Sequence, residues 1–242
     1  MGYGKTTAVE WYLAERARAE APYIVRISVY SGNLAIFWKS VQDAFARAGF
    51  AFLREYDCPT DGASGGLLID DLCHALTGEK SCYIFIDDFH LLTDKRAPGF
   101  LCALAGRLPP NVHLILASRD LFLPAAELVR LGGKVYQIGT AQLRLNHTEL
   151  AVYTKRCGTA LSDEQIDTLL YYSEGWFSAV YLNLRMFSEH GVLPDPNSDI
   201  SSIFTAAMID PLPEKQREFL AVMGLADEFT VEMAQFVMAD AH

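Results

Sequence analysis

Three short groups of residues in this sequence could do chemistry, and each falls where a turn would present it. The first is Gly2-Tyr3-Gly4-Lys5-Thr6-Thr7. Glycines let backbone N–H groups wrap phosphate oxygens, a lysine at this spacing reaches β- and γ-phosphates, and the following hydroxyl serves Mg²⁺. Only the rear of such a loop is present, and alone it is a weak signal that reads more readily as a plain helix start. The second group is Ile84-Phe85-Ile86-Asp87-Asp88, an apolar run ending in two acids. One carboxylate there can enter a Mg²⁺ shell and the next can orient a water; the competing reading is a pair of acids in a strand-to-helix turn. The third is Ser118-Arg119, after the apolar run 112–117. An arginine at that edge can sense a γ-phosphate or can sit in a surface ion pair. His90, just past the acids, reads as a packing or capping residue. Taken as an ordered set on successive strand ends, the three groups point to a nucleoside-triphosphate site.

The elements that must position these groups follow from periodicity. Residues 5–21 have helical spacing, and Tyr23 to Val29 is a β-branched run of strand type. A helix is expected over 34–49, a loop over 54–66, and helical spacing from Leu67 to Leu76. Cys82–Ile86 and Val112–Ala117 read as buried strands, with a helix over 98–108 between them. A short helix near 124–131 leads to a last expected strand, Val135–Ile138. Apolar strands alternating with helices predict an α/β fold, a parallel sheet covered on both faces. Beyond about residue 145 the strands stop. Asn146 with Glu149, and Ser162 with Gln165, have capping-box spacing and open helices, so 146–190 reads as all-helical. A polar joint at Leu193–Ser198 precedes further short helices, one opening at Pro213. The expected division is 1–144, an ATPase-type core; 145–192, a helical bundle; and 193–242, a third part.

Composition narrows the class. The chain has 242 residues, 51% of them hydrophobic, enough for one large domain or a medium one with an appendage. Its apolar runs are far shorter than the roughly 18 to 20 residues that cross a bilayer, and no signal-peptide pattern opens it. Five scattered cysteines suit free thiols in a reducing compartment, so a cytoplasmic location is expected. The net charge of −10 argues against a phosphate-backbone grip by this segment. A nucleotide needs only one lysine and a row of amides.

GYGKTT, YIFIDDFHLL, LILASR and SEGWFSAVYL, in this order, resemble the signal-transduction (STAND-type) P-loop ATPases of the MalT-like, LuxR-type transcriptional regulators. The resemblance covers nearly the whole chain. It implies an ATPase core, a helical bundle and a winged-helix-like domain, which would begin within 193–242 near Leu225–Thr230. A sensor array and a C-terminal DNA-binding helix-turn-helix follow in the family, and neither is in this sequence. ATP and Mg²⁺ are the implied ligands. The loop Gly2–Thr7 would hold phosphate, with Lys5 and Thr6 as phosphate and metal contacts. Asp87 would be the metal-shell carboxylate, Asp88 the water-orienting acid and Arg119 the nucleotide sensor. Gly175-Trp176 would bring the bundle over the base, although Phe177 stands where many relatives have proline. ATP binding would favour a self-associating active state that slow hydrolysis resets.

The resemblance also implies a strand and several small residues before Gly2, so the sequence reads as truncated at both ends. A sheet lacking that strand would leave buried amides unpaired at about 1–3 kcal/mol each, so weak stability and weak or absent ATP binding are expected of this chain. Two other readings remain open. One is a P-loop enzyme of another class, such as a nucleoside kinase or a helicase-loader-like ATPase. The other is an interaction module that keeps the fold without hydrolysis.

Overall fold

In a computed structural model, residues 2–121, 123–191, 193, 205, 209–224 and 229–240 are described. The chain divides into two compact units, 3–139 and 140 onward, with Gly2 grouped in the second.

The first unit is built on three parallel strands, β1 (Tyr23–Ser28), β2 (Cys82–Asp87) and β3 (Val112–Leu116), in the order β1-β2-β3. Ser28 is level with Asp87, and Ile86 with Leu116, so all three strands deliver their carboxyl ends to one edge. Side-chain alternation divides the sheet's apolar residues between two layers. Val25, Ile27, Ile84 and Ile86 join the larger core with helices α2 (Leu34–Arg47), α3 (Gly62–Leu76) and α4 (Arg96–Arg107). Tyr83, Phe85 and Ile24 face the opposite layer, where Leu13 of α1 (Lys5–Glu20) is fully buried. The sheet is therefore covered on both faces, as expected of an α/β fold with a parallel sheet. Polar anchors fix α1 there: Arg26 pairs with Glu10 at 3.0 Å, and the Tyr83 hydroxyl donates to Glu20 Oε1 at 2.9 Å.

Two local expectations need correction. The helix expected to begin at Leu67 begins at Gly62, inside the expected loop. Asp61 accepts from the Ser64 N–H at 2.8 Å and Ser64 reciprocates, a capping box that offsets the poor helix propensity of the glycines. Gly65 also packs its backbone against the Phe100 ring. The expected strand Val135–Ile138 does not form. Its residues follow helix α5 (Ala125–Leu131) and a short 3₁₀ turn at Gly132–Lys134, and Tyr136 is 83% exposed. A strand exists only when a neighbour takes its hydrogen bonds, and among the described residues none pairs with it or with the outer edge of β3.

The second unit is helical: α6 (Thr140–Leu143), α7 (His147–Arg156), α8 (Asp163–Ser173) and α9 (Phe177–His190). Both expected capping boxes form, Asn146 with Glu149 and Ser162 with Gln165. Leu150, Ile166, Leu169, Val180 and Leu184 make its core. Two further helices, Glu214–Met223 and Val231–Asp240, follow. Most of the Leu193–Ser198 joint, and residues 225–228 of the segment likened to a winged helix, lie outside the described residues. No described helix is long and apolar enough to cross a membrane.

Candidate functional site

The site in the first unit begins at the N-terminus of α1. Gly4 caps this helix at φ 71°, ψ 20°, in the left-handed region that glycine enters without a Cβ penalty. The cap makes no side-chain hydrogen bond, and no acid occupies the first turn. The leading amides of a 16-residue helix therefore lack a side-chain acceptor, and the helix dipole adds partial positive charge there. Lys5, the first helical residue, is half-buried and makes no ion pair among the described residues. Thr6 and Thr7 follow on exposed positions.

The link from loop to sheet is a single hydrogen bond. The Thr6 hydroxyl donates to Asp87 Oδ1 at 3.2 Å, joining residues 81 positions apart. Asp87 ends β2, and its Oδ1 also accepts the Asp88 N–H at 2.9 Å. Asp88 turns the chain sharply: its φ of 53° and ψ of 37° are left-handed, a conformation that costs a non-glycine residue free energy. The strained turn leaves the Asp88 carboxylate solvent-facing. Just beyond it the Phe89 N–H donates to the Ala117 carbonyl at 3.0 Å, which ties the acidic turn to the end of β3. Ser118 and Arg119 follow directly on that edge. The Ser118 hydroxyl accepts the Asp120 N–H at 3.3 Å, and Arg119 is exposed without an ion pair among the described residues.

His90 takes the packing role of the two expected for it. It caps nothing, because neither ring nitrogen has a hydrogen-bond partner, and its side chain is only 9% exposed. Asp88 lies beside it, with Nδ1 at 3.9 Å from Oδ1. The Asp-Asp-Phe-His spacing was visible in the sequence, but the isolation of the ring depends on packing around it.

The remaining candidates lie in the second unit. Gly175 (φ 70°) and Trp176 form the turn between α8 and α9, with Trp176 as the N-cap of α9. The Gly175 carbonyl accepts the Leu145 N–H at 2.9 Å, and a Cβ added at Gly175 would overlap the Leu145 carbonyl oxygen. This glycine is thus required by the backbone alone. Phe177 packs on Tyr153, with ring centroids 5.1 Å apart. Gly2 groups with this unit through Ser178, whose N–H and hydroxyl both donate to its carbonyl, at 3.0 and 2.9 Å. Tyr3 belongs to the first unit.

No described cluster of three or more His, Cys, Asp or Glu residues could hold a metal by itself. Mg²⁺ does not ask for one: it keeps several waters and takes one or two protein oxygens alongside phosphate. The Thr6 hydroxyl and the Asp87 carboxylate, already in contact beside a helix N-terminus without a side-chain cap, suit that requirement.

No family model matches the sequence. It is 20% identical to the HTH-type transcriptional regulator MalT of Vibrio campbellii, over 96% of this chain and 27% of that protein. Identity to MalT of Vibrio parahaemolyticus is 23%, over 64% of this chain and 18% of that protein. Identity to MalT of Yersinia pestis is 29%, over 41% of this chain and 11% of that protein. The chain thus spans about a quarter or less of the regulators it matches. Among solved structures, Cdc6p from Pyrobaculum aerophilum superposes with a TM-score of 0.47 at 14% identity, covering 98% of this chain and 70% of that one.

Proposed function

We propose that this chain is the nucleotide-binding switch module of a MalT-like, LuxR-type bacterial transcriptional regulator, with ATP and Mg²⁺ as its ligands. The observation that carries the reading is the Thr6–Asp87 hydrogen bond at 3.2 Å. It places a loop hydroxyl and a strand-end carboxylate together, where a metal bridging to phosphate would need both. Similarity to MalT regulators supports the regulatory context.

The bound nucleotide brings the phosphoryl group, and the metal neutralises its charge. The chain's own part is positioning. Backbone amides of Gly2, Tyr3, Gly4 and the first turn of α1, with Lys5, would hold the phosphates, and Thr7 would close the loop. Thr6 and Asp87 would present oxygens to the metal. Asp88 would orient a water toward the γ-phosphate, and Arg119 would sense that phosphate from the end of β3. Gly175 and Trp176, in the helical part, would report on the base. In this reading residues 1–144 form the ATPase core, 145–192 a bundle, and 193–242 the opening of a winged-helix-like domain. ATP favours a self-associating state in the cytoplasm and hydrolysis resets it, while DNA is contacted by a separate C-terminal module. A non-hydrolysing interaction module is the second reading, favoured by the exposed and otherwise untethered Asp88 carboxylate.

Titration with Mg-ATP, followed by thermal shift, tests the proposal. The expected affinity is weaker than micromolar. Stabilisation should appear with the wild-type chain at millimolar nucleotide and disappear in Lys5→Ala. Equal stabilisation of both chains would overturn the reading. Phosphate release compared with Asp88→Asn then separates hydrolysis from binding alone.

A further inference from the structure

His90 is the one side chain among the described residues with buried polar atoms that make no hydrogen bond. A neutral imidazole carries a proton on one nitrogen and a lone pair on the other, so its burial leaves both a donor and an acceptor unanswered. Native structures rarely tolerate this, and where they do the group often has a task in another state of the molecule. Its position suggests the task. His90 sits in the 3₁₀ turn Phe89–Leu91, two residues past Asp88. That turn is held at both ends: the Phe89 N–H donates to Ala117, and the Leu91 N–H to the Asp88 carbonyl at 3.0 Å. The ring is thus fixed by packing and by its backbone.

Asp88 is in the opposite condition. Its side chain is 56% exposed and accepts no hydrogen bond from another described residue, while its backbone is held left-handed. An acid that must aim a water needs its carboxylate fixed, because misplacement by about 1 Å is costly in rate. The distance between His90 Nδ1 and Asp88 Oδ1 is 3.9 Å, about 1 Å beyond hydrogen-bond length. Rotation of the exposed carboxylate could close that gap without moving the buried ring.

We propose that His90 is a positioning residue for Asp88: its Nδ1–H donates to the Asp88 carboxylate and fixes the acid's aim. The role in hydrolysis rests on the reading of Asp88 given above, whereas the hydrogen bond itself does not. His90 is not a catalytic residue in this account, since it acts through Asp88. A histidine suits the place because its ring can be buried as a flat apolar body while one nitrogen reaches a carboxylate.

Two measurements on the full chain decide the matter. The first is long-range ¹H–¹⁵N NMR of the imidazole rings without nucleotide, with His90 assigned by its absence in His90→Asn. The wild-type ring should carry its proton on Nδ1, and Asp88→Ala should release that preference. A proton on Nε2, or a ring unaffected by Asp88→Ala, overturns the hydrogen bond. The second is phosphate release together with Mg-ATP affinity in two variants. His90→Phe keeps the flat buried body and should lose roughly ten- to hundredfold in turnover at unchanged affinity. His90→Asn, whose amide N–H₂ falls near the position of Nδ1, should recover much of that loss. Equal turnover in wild type and His90→Phe, or equal loss in both variants, overturns the positioning role. So does a wild-type chain that binds nucleotide and does not hydrolyse it. Equal nucleotide binding by wild type and Lys5→Ala instead overturns the functional reading, and the NMR result still decides the His90–Asp88 pair. If His90→Phe fails to fold, the wild-type and Asp88→Ala spectra carry the test alone.

Discussion

At the scale of single residues, Thr6 and Gly175 differ in what their positions demand. The Thr6 hydroxyl is exposed, so its one hydrogen bond contributes little to stability. Thr6→Val should therefore leave the urea midpoint almost unchanged. In the presence of Mg²⁺, however, nucleotide affinity should fall about tenfold or more, as expected for loss of a charge-assisted contact. The difference should vanish in EDTA, and isothermal titration with and without the metal reads both. Gly175→Ala should behave in the reverse way. A Cβ there meets the Leu145 backbone at a φ of 70°, so strain and overlap together should cost about 3 kcal/mol. Denaturation without nucleotide would show it. The first pair was legible in the sequence because a hydroxyl after a glycine-lysine step and an acid at a strand end carry their own chemistry. The reason for Gly175 was not, because it lies in the carbonyl of Leu145, which comes beside it only through the fold.

Among the elements, helix starts were read most directly, since a cap is a local interaction between residues three apart. Asn146 accepts the Glu149 N–H at 3.0 Å and Ser162 accepts that of Gln165 at 3.2 Å. Replacing either cap with alanine should destabilise the helical unit by about 1 kcal/mol. The two losses should nearly add, because they sit on different helices. Chemical denaturation of the single and double variants checks both statements. The same local logic was available at Asp61 and Ser64, but the glycines of Gly62–Gly66 obscured it by suggesting a loop. Strands are different in kind. β2 is apolar on both faces and flanked by two partners, so its pattern sufficed to identify it. Val135–Ile138 has the same residue types without a neighbouring edge, and residue type cannot supply a hydrogen-bond partner.

For the molecule as a whole, charge and burial set how it answers to pH. The net charge of −10 comes from 30 acids and 20 bases. One buried group with a clear consequence lies in the sheet. Burial pushes the Cys82 thiol up to about 11, from an ordinary value near 9. A raised folded-state value means that the folded chain keeps a proton the unfolded chain has lost. This contribution to stability is complete below about pH 9, declines as pH rises from there, and is gone above about pH 11. Cys82→Ala should flatten that part of the alkaline stability curve, apart from a constant offset for the lost packing. The same burial shields the thiol from reagents. At pH 8 iodoacetamide should label the exposed Cys157 first and the half-buried Cys58 and Cys73 more slowly. Cys82 and Cys102 should react only as the core opens. Mass spectrometry of labelled peptides over time would give the order, and early labelling of Cys82 would mean that β2 is not the protected centre of the sheet.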